Sequence, residues 1–205
     1  MMTINRRRVM GKKGAPLPYD AEVEYIETSG TQRINTGVLL SGITGKAGSH
    51  IVLSLDLTNT TRGTYQVNGW GNNPQLGIRA GTTAYWQNYA TGNQAVQPNV
   101  NYVVTLDLSG VKGVLKVDGY NDLTAGGNTS SVTRPFVIGA MVAANGTYQN
   151  PIWEKIRFCK IYDADTLVFD AIPVRVNTTG YLYDKVSGVL FGNEGTGDFI
   201  VGPDK

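Results

Sequence analysis

The densest combination of flat aromatic and amide side chains is Asn68-Gly69-Trp70-Gly71-Asn72-Asn73, followed by Arg79 and Tyr85-Trp86-Gln87-Asn88-Tyr89. These residue types suit saccharide recognition. An aromatic ring stacks on the C–H face of a pyranose, while amides and a guanidinium fix the hydroxyls. Trp70, Asn72, Arg79, Tyr85, Gln87 and Tyr89 are therefore the candidate ligand-binding residues. On a strand, Tyr85, Gln87 and Tyr89 share one face, and Trp86 and Asn88 share the other. One of those faces must be core. Tyr85 and Tyr89 are the surface residues if Trp86 points inward, and filling the core is the competing role for Trp70 and Trp86.

Catalytic chemistry is harder to assemble. Five glutamates are present, Glu22, Glu24, Glu27, Glu154 and Glu194. Glu22 and Glu24 share a strand face, and Glu154 stands beside Trp153; Glu24 and Glu154 are the residues to test for an acid pair. His50 is the one histidine and Cys159 the one cysteine. The apolar stretch Ile156–Ile161 marks Cys159 as a half-buried structural thiol, and no disulfide or zinc cluster can form within the chain. No Gly-x-Ser-x-Gly elbow and no phosphate loop ending in Gly-Lys-Ser/Thr occurs. The chain is expected not to be an enzyme, with no catalytic residue assigned. Asp118-Gly119-Tyr120-Asn121-Asp122 and Asp163-Ala164-Asp165 are the densest oxygen-rich groups, and both read as turns. No cofactor or metal site is assigned; calcium is left open.

The elements that must position these residues are strands. Ile51, Leu53, Leu55 and Leu57 alternate with polar or smaller neighbours, as do Tyr102, Val104, Leu106 and Leu108. Val114–Asp118 follows Gly110-Val111-Lys112-Gly113 as the second arm of a hairpin. Further strands are predicted at 134–141, 153–162, 167–176 and 181–184, with Asp163–Asp165 as a turn and Pro173 at a strand edge or bulge. No segment carries helical periodicity over three turns. Twenty-six glycines and a charged fraction of 17%, against about 25% in an average protein, suit many short strands joined by tight turns.

Charge is unevenly placed. Arg6, Arg7, Arg8, Lys12 and Lys13 fall in the first thirteen positions, which leaves fewer basic residues than the 16 acidic ones in the rest of the chain. Residues 1–20, closed by Pro16-Leu17-Pro18, read as a basic extended arm, and 21–205 as one domain. Alone in solution the arm is expected to be disordered. It is either a tail or an anchor that orders against an acidic or symmetric partner. A net charge of +2 makes no case for nucleic acid binding by the folded domain. No apolar run suits a signal peptide of ~7–15 residues or a membrane span of ~18. Assembly in a reducing cytoplasm is expected, with export by lysis or within a particle.

Two segments near the chain ends carry a family resemblance. Tyr25-Ile26-Glu27-Thr28-Ser29-Gly30-Thr31-Gln32-Arg33-Ile34-Asn35-Thr36-Gly37 resembles the opening strands of a laminin-G-like jelly roll of the concanavalin A-like lectin/glucanase superfamily. Gly180-Tyr181-Leu182-Tyr183-Asp184 and Asn193-Glu194-Gly195-Thr196-Gly197-Asp198-Phe199-Ile200-Val201-Gly202-Pro203 are similar to its closing strands. Leu106–Leu108 with Val117-Asp118-Gly119, 155–168 and Ile172–Arg175 resemble its inner hairpins and late strand. The subgroup is common in bacteriophage virion proteins and gut-bacterial surface proteins. Arg33 stands where relatives usually have an aromatic, and Asn35 where they have Asp.

The resemblance implies an all-β, two-sheet antiparallel jelly-roll sandwich whose end segments pair, with the arm extending from one edge. It also implies structural roles for the end motifs: Gly30 and Gly37 in turns, Gly195 and Gly197 at positive φ, Tyr183 and Phe199 in packing. The glucanase branch uses a Glu-x-Asp-x-Glu strand, which this chain lacks. The leading expectation is a non-enzymatic bacteriophage virion-associated structural or decoration protein of capsid, tail or fibre. It would dock on other virion proteins through Arg6, Arg7, Arg8, Lys12 and Lys13, as a homo-oligomer where particle symmetry demands one, and adhere to glycans. Its location would be the virion, assembled in the host bacterial cytoplasm. The alternative is a free or surface-bound bacterial carbohydrate-binding protein, at the cell surface or extracellular.

Overall fold

The computed structural model describes residues 16–58, 75–79, 83–87, 90–91, 96–124, 134–142, 146–149 and 152–205, the three segments between 75 and 91 as backbone. The strands are β1 (Ala21–Glu22), β2 (Ile26–Glu27), β3 (Ile34–Leu39), β4 (His50–Leu57), β5 (Gln75–Arg79), β6 (Thr83–Gln87), β7 (Ala90–Thr91), β8 (Asn101–Asp107) and β9 (Val114–Val117). They continue as β10 (Leu123–Thr124), β11 (Pro135–Ile138), β12 (Met141–Val142), β13 (Tyr148–Gln149), β14 (Glu154–Asp163), β15 (Thr166–Val176), β16 (Thr179–Asp184), β17 (Val189–Phe191) and β18 (Ile200–Val201). One helical turn, α1 (Leu40–Ile43), interrupts them.

The chain forms an all-β antiparallel sandwich. Its large sheet runs β10-β9-β8-β4-β14-β15-β16-β17, with β1 added to β15, β2 to β14 and β18 to β2. Cross-strand partners align the inward residues in rows: Val104, Leu53, Cys159 and Ala171 form one, and Leu106, Ile51, Ile161 and Phe169 another. All eight are buried. Ile34 of β3, Leu40 and Ile43 of α1, and Phe136 and Ile138 of β11 close the same core from the opposing side. Burying each such side chain contributes about 1.5–3 kcal/mol, which is why strict alternation in β4 and β8 pins their register.

Hairpin chemistry matches the sequence between β14 and β15. Asp163 pairs with Thr166, and the two loop residues Ala164 and Asp165 have φ of 46° and 65°. That is the primed turn whose twist suits adjoining strands. Pro173 sits where β15 exchanges its neighbour, from β14 to β1. Its carbonyl accepts from the Val23 amide at 3.1 Å, at the irregularity where a proline is tolerated.

Three details differ from the sequence reading. The single strand expected over 134–141 is broken after Ile138, because Gly139 turns at φ +85 and a Cβ there would lie 2.7 Å from the Gln32 carbonyl oxygen. α1 forms although no three-turn periodicity announces it; it is one uncapped turn, held by burial of Leu40 and Ile43. Arg157 is an extra residue in β14 opposite Leu55 and Ser54, a β-bulge that turns both Arg157 and Phe158 outward.

Candidate functional site

Two regions of the large sheet carry the functional candidates. Beside β10, at one margin, lies the three-stranded sheet β5-β6-β7. Its register pairs Gln75 with Gln87, Gly77 with Tyr85, Arg79 with Thr83, and Tyr85 with Thr91. These seven positions belong to one face. Leu76, Ile78, Ala84, Trp86 and Ala90 belong to the other, since Leu76 pairs with Trp86, Ile78 with Ala84, and Trp86 with Ala90. The backbone thus sorts the segment into a polar row and an apolar row. Arg79, Tyr85 and Gln87 come together in the polar row, and Trp86 falls in the apolar one. Trp70, Asn72 and Tyr89 lie outside the described residues, as do Arg6, Arg7, Arg8, Lys12 and Lys13.

The second region is where the chain ends meet, against β14 and β15 inside the strand order, with β16 and β17 beyond. β1 pairs with β15, β18 pairs with β2, and Val23 bridges to Asp204. Arg175 donates to both carboxylate oxygens of Asp204, at 2.7 and 2.6 Å. A clasp of polar groups, with Gln32 buried and Asn193 half-buried, completes the join. Gln32 Oε1 accepts from the Ser29 amide, and its Nε2 donates to the Asp198 carbonyl at 2.9 Å. Asn193 Oδ1 accepts from the amides of Arg33 and Gly195, and its Nδ2 donates to the Gly197 carbonyl. Gly30 lies under the Trp153 indole. Gly195 does not sit at positive φ as the family resemblance implies; a Cβ there would lie 1.9 Å from the Thr31 carbonyl oxygen, so close approach requires the glycine. Phe199 is buried in the core, and Tyr183 is half-buried against Tyr19, with ring centroids 5.0 Å apart.

The outer face of the large sheet also holds a polar cluster that sequence reasoning missed. Arg157 donates from Nε and Nη2 to the Asp56 carboxylate, at 3.1 and 2.8 Å. Asn101 Nδ2 donates to Asp56 Oδ1 at 2.7 Å. The Tyr25 ring lies 4.7 Å from Lys155 Nζ and 5.6 Å from the Arg157 guanidinium carbon. Burial alone would raise the Asp56 pKa. The Arg157 and Asn101 hydrogen bonds and the Arg157 charge overcome it and hold the carboxyl below its ordinary value. The alternation of β4 places Asp56 outward, but its partner depends on the bulge at Arg157, which no local pattern announces.

The catalytic alternatives separate in space. Glu24 is exposed and acts electrostatically on the outward Arg157, whereas Glu154 is fully buried in the row beside Leu57 on the inner face. The two carboxyls therefore lie on opposite faces of one sheet and cannot flank a common bond. His50 stacks on Tyr162 at 4.2 Å on the outer face, while Cys159 is buried inside. Burial, followed by the negative charges of Glu154, Asp184 and Asp170, pushes the Cys159 thiol far above its usual pKa. Asp163 pairs with Lys46 at 2.9 Å. Among the described residues no group of three or more His, Cys, Asp or Glu is placed to share a metal ion, and no helix is long and apolar enough to cross a membrane.

No family model matches this chain. No curated protein matches it either.

Proposed function

We propose that this chain is a non-enzymatic structural or decoration module of a bacteriophage virion, a concanavalin A-like jelly roll anchored through its basic N-terminal arm. The observation that carries the reading is the separation of the chain-end junction from the β5-β6-β7 sheet. The described chain enters the fold at β1, which pairs on the β14 side of β15. The polar row of β5-β6-β7 lies beside β10, four strands from β14 in the sheet order. At the usual strand spacing that is about 19 Å. An anchor near the junction and a displayed face at the β10 margin suit a module that docks on a particle and presents itself outward. The resemblance of the end segments to virion proteins supports the same reading, and the clasp gives those segments a structural role that needs no ligand.

The docking partner is another virion protein, with copy number set by particle symmetry. The displayed face is a weak glycan adhesion surface built on Arg79, Tyr85 and Gln87. That face is the polar row that the β5-β6-β7 register brings together. That row also favours the second reading, a free or cell-surface carbohydrate-binding protein. Mass spectrometry of particles purified from the source separates the two. Stoichiometric copies are expected; absence from particles with presence on cells or in the medium would contradict the virion role.

A further inference from the structure

Glu154 is the one glutamate that the fold removes completely from water, and neither of its carboxylate oxygens accepts a hydrogen bond. It sits at a knot of three segments. The Glu154 amide donates to Thr28 Oγ1 at 3.0 Å, and the Thr28 amide donates to the Glu154 carbonyl at 2.9 Å. Thr28 Oγ1 donates to the Ile152 carbonyl, and the Ile152 amide donates to the Gly139 carbonyl at 3.1 Å. The residue after β2, the residue after β11 and the start of β14 are thus tied together around this one carboxyl.

We propose that Glu154 is a pH-operated latch on this knot: the neutral acid lets β2, β11 and β14 close on one another, and the carboxylate drives the junction open to reach water. An unpaired carboxylate in an apolar interior costs several kcal/mol, so ionisation and closure compete. Opening the knot lets water solvate the charge while the β4–β8 ladder stays intact.

Among the described residues, no opposite charge acts on the carboxylate. On β14 itself, the inward titratable neighbour is the Cys159 thiol, which stays neutral. From β15 and β16, Asp170 and Asp184 act on Cys159 and are acidic too; Asp170 lies on the opposite face of β15 from Phe169 and Ala171, paired with Lys185 at 3.1 Å. On β4 the residue opposite is Leu57, and Asp56 points to the other face, where Arg157 holds it. On β2, Glu27 pairs with outward Lys155. The segment after β11 contributes the Gly139 amide, which favours the charge without reaching hydrogen-bonding geometry. Burial, only partly offset by that amide, pushes the Glu154 pKa up to about 8 from 4.5.

The direction of the effect follows. Between about pH 4.5 and 8 the closed state holds a proton that the open state has lost, so closure weakens as pH rises and levels off above about 8. The opening constant then rises about tenfold per pH unit within that window.

Amide hydrogen exchange on the full chain tests this, after correction for the intrinsic pH dependence of exchange. Protection of the Thr28, Ile152 and Glu154 amides should fall about tenfold per unit between pH 5 and 8, while the Leu53 and Val104 amides fall far less. Glu154→Gln should abolish the pH dependence at the junction. Equal pH dependence in the variant, or none in the wild type, would overturn the latch. Should Glu154→Gln fail to fold, carboxyl ¹³C NMR of the wild-type chain still decides. Glu154 protonated at pH 7 supports the latch, and Glu154 ionised at pH 6 refutes it.

Discussion

The clasp at the chain-end junction and the three-stranded sheet beside β10 are built by opposite rules. At the clasp, small and polar residues have fixed partners: Gln32, Asn193 and Gly195 bond or make room for named backbone groups, and Trp153 covers Gly30. In the sheet beside β10, the backbone pairs regularly and sorts its residues into a polar and an apolar row. The difference teaches where substitutions should act. Clasp residues carry stability through geometry that few other side chains fit, whereas the polar row is where the proposed recognition is to be tested.

The sharpest way to break that contrast is Gly195→Val. Its Cβ would overlap the Thr31 carbonyl, and backbone cannot swing aside as a side-chain tip can. Chemical denaturation should show a loss of about 3 kcal/mol or more, the upper end of overpacking costs. A loss below about 1 kcal/mol would mean that the clasp yields. Next comes Asp56→Ala on the outer face, which leaves Arg157 without its carboxylate and should cost about 2 kcal/mol. Because the Asp56 pKa is depressed in the fold, its stabilisation is present above about pH 4 and vanishes as pH falls through the folded value. Unfolding curves of wild type and variant should therefore converge in strong acid.

Gln32→Ala tests the clasp more gently. It removes the bonds to Ser29 and Asp198 and should cost about 1 kcal/mol by thermal unfolding. The smallest stability effect should come from the polar row. Tyr85→Ser and Gln87→Ala should each change stability by less than about 0.5 kcal/mol while reducing binding on a glycan array. A large loss of stability from Tyr85→Ser would dissolve the contrast, because the polar row would then be structural.

Much of the fold was legible because burial repeats with a simple period. The alternation from Ile51 to Leu57 and from Tyr102 to Leu108 marks the two central strands, and Asp163-Ala164-Asp165 marks the turn that joins β14 to β15. What stayed hidden depends on contacts distant in sequence. Gly139 breaks a strand because Gln32 crowds it, Arg157 bulges to meet Asp56, and Gly195 is required by Thr31 rather than by its own dihedral angles. The burial of Glu154 was hidden for the same reason. Beside Trp153 it carries no local sign of its face, and only the register of β14 against β4 turns it inward beside Leu57. Of the candidate site, the face shared by Tyr85 and Gln87 followed from strand period alone, whereas the addition of Arg79 to that face needed the β5–β6 register.

The proposed division of labour between the arm and the sheet beside β10 is tested most directly by particle incorporation. Three versions of the chain should be expressed during particle assembly: the full chain, a chain lacking residues 1–18, and one carrying Tyr85→Ser with Gln87→Ala. The copy number in purified particles is then measured by mass spectrometry. The account predicts wild-type copy number for the double variant and near-complete loss for the truncated chain. Undiminished incorporation of the truncated chain would contradict the anchor.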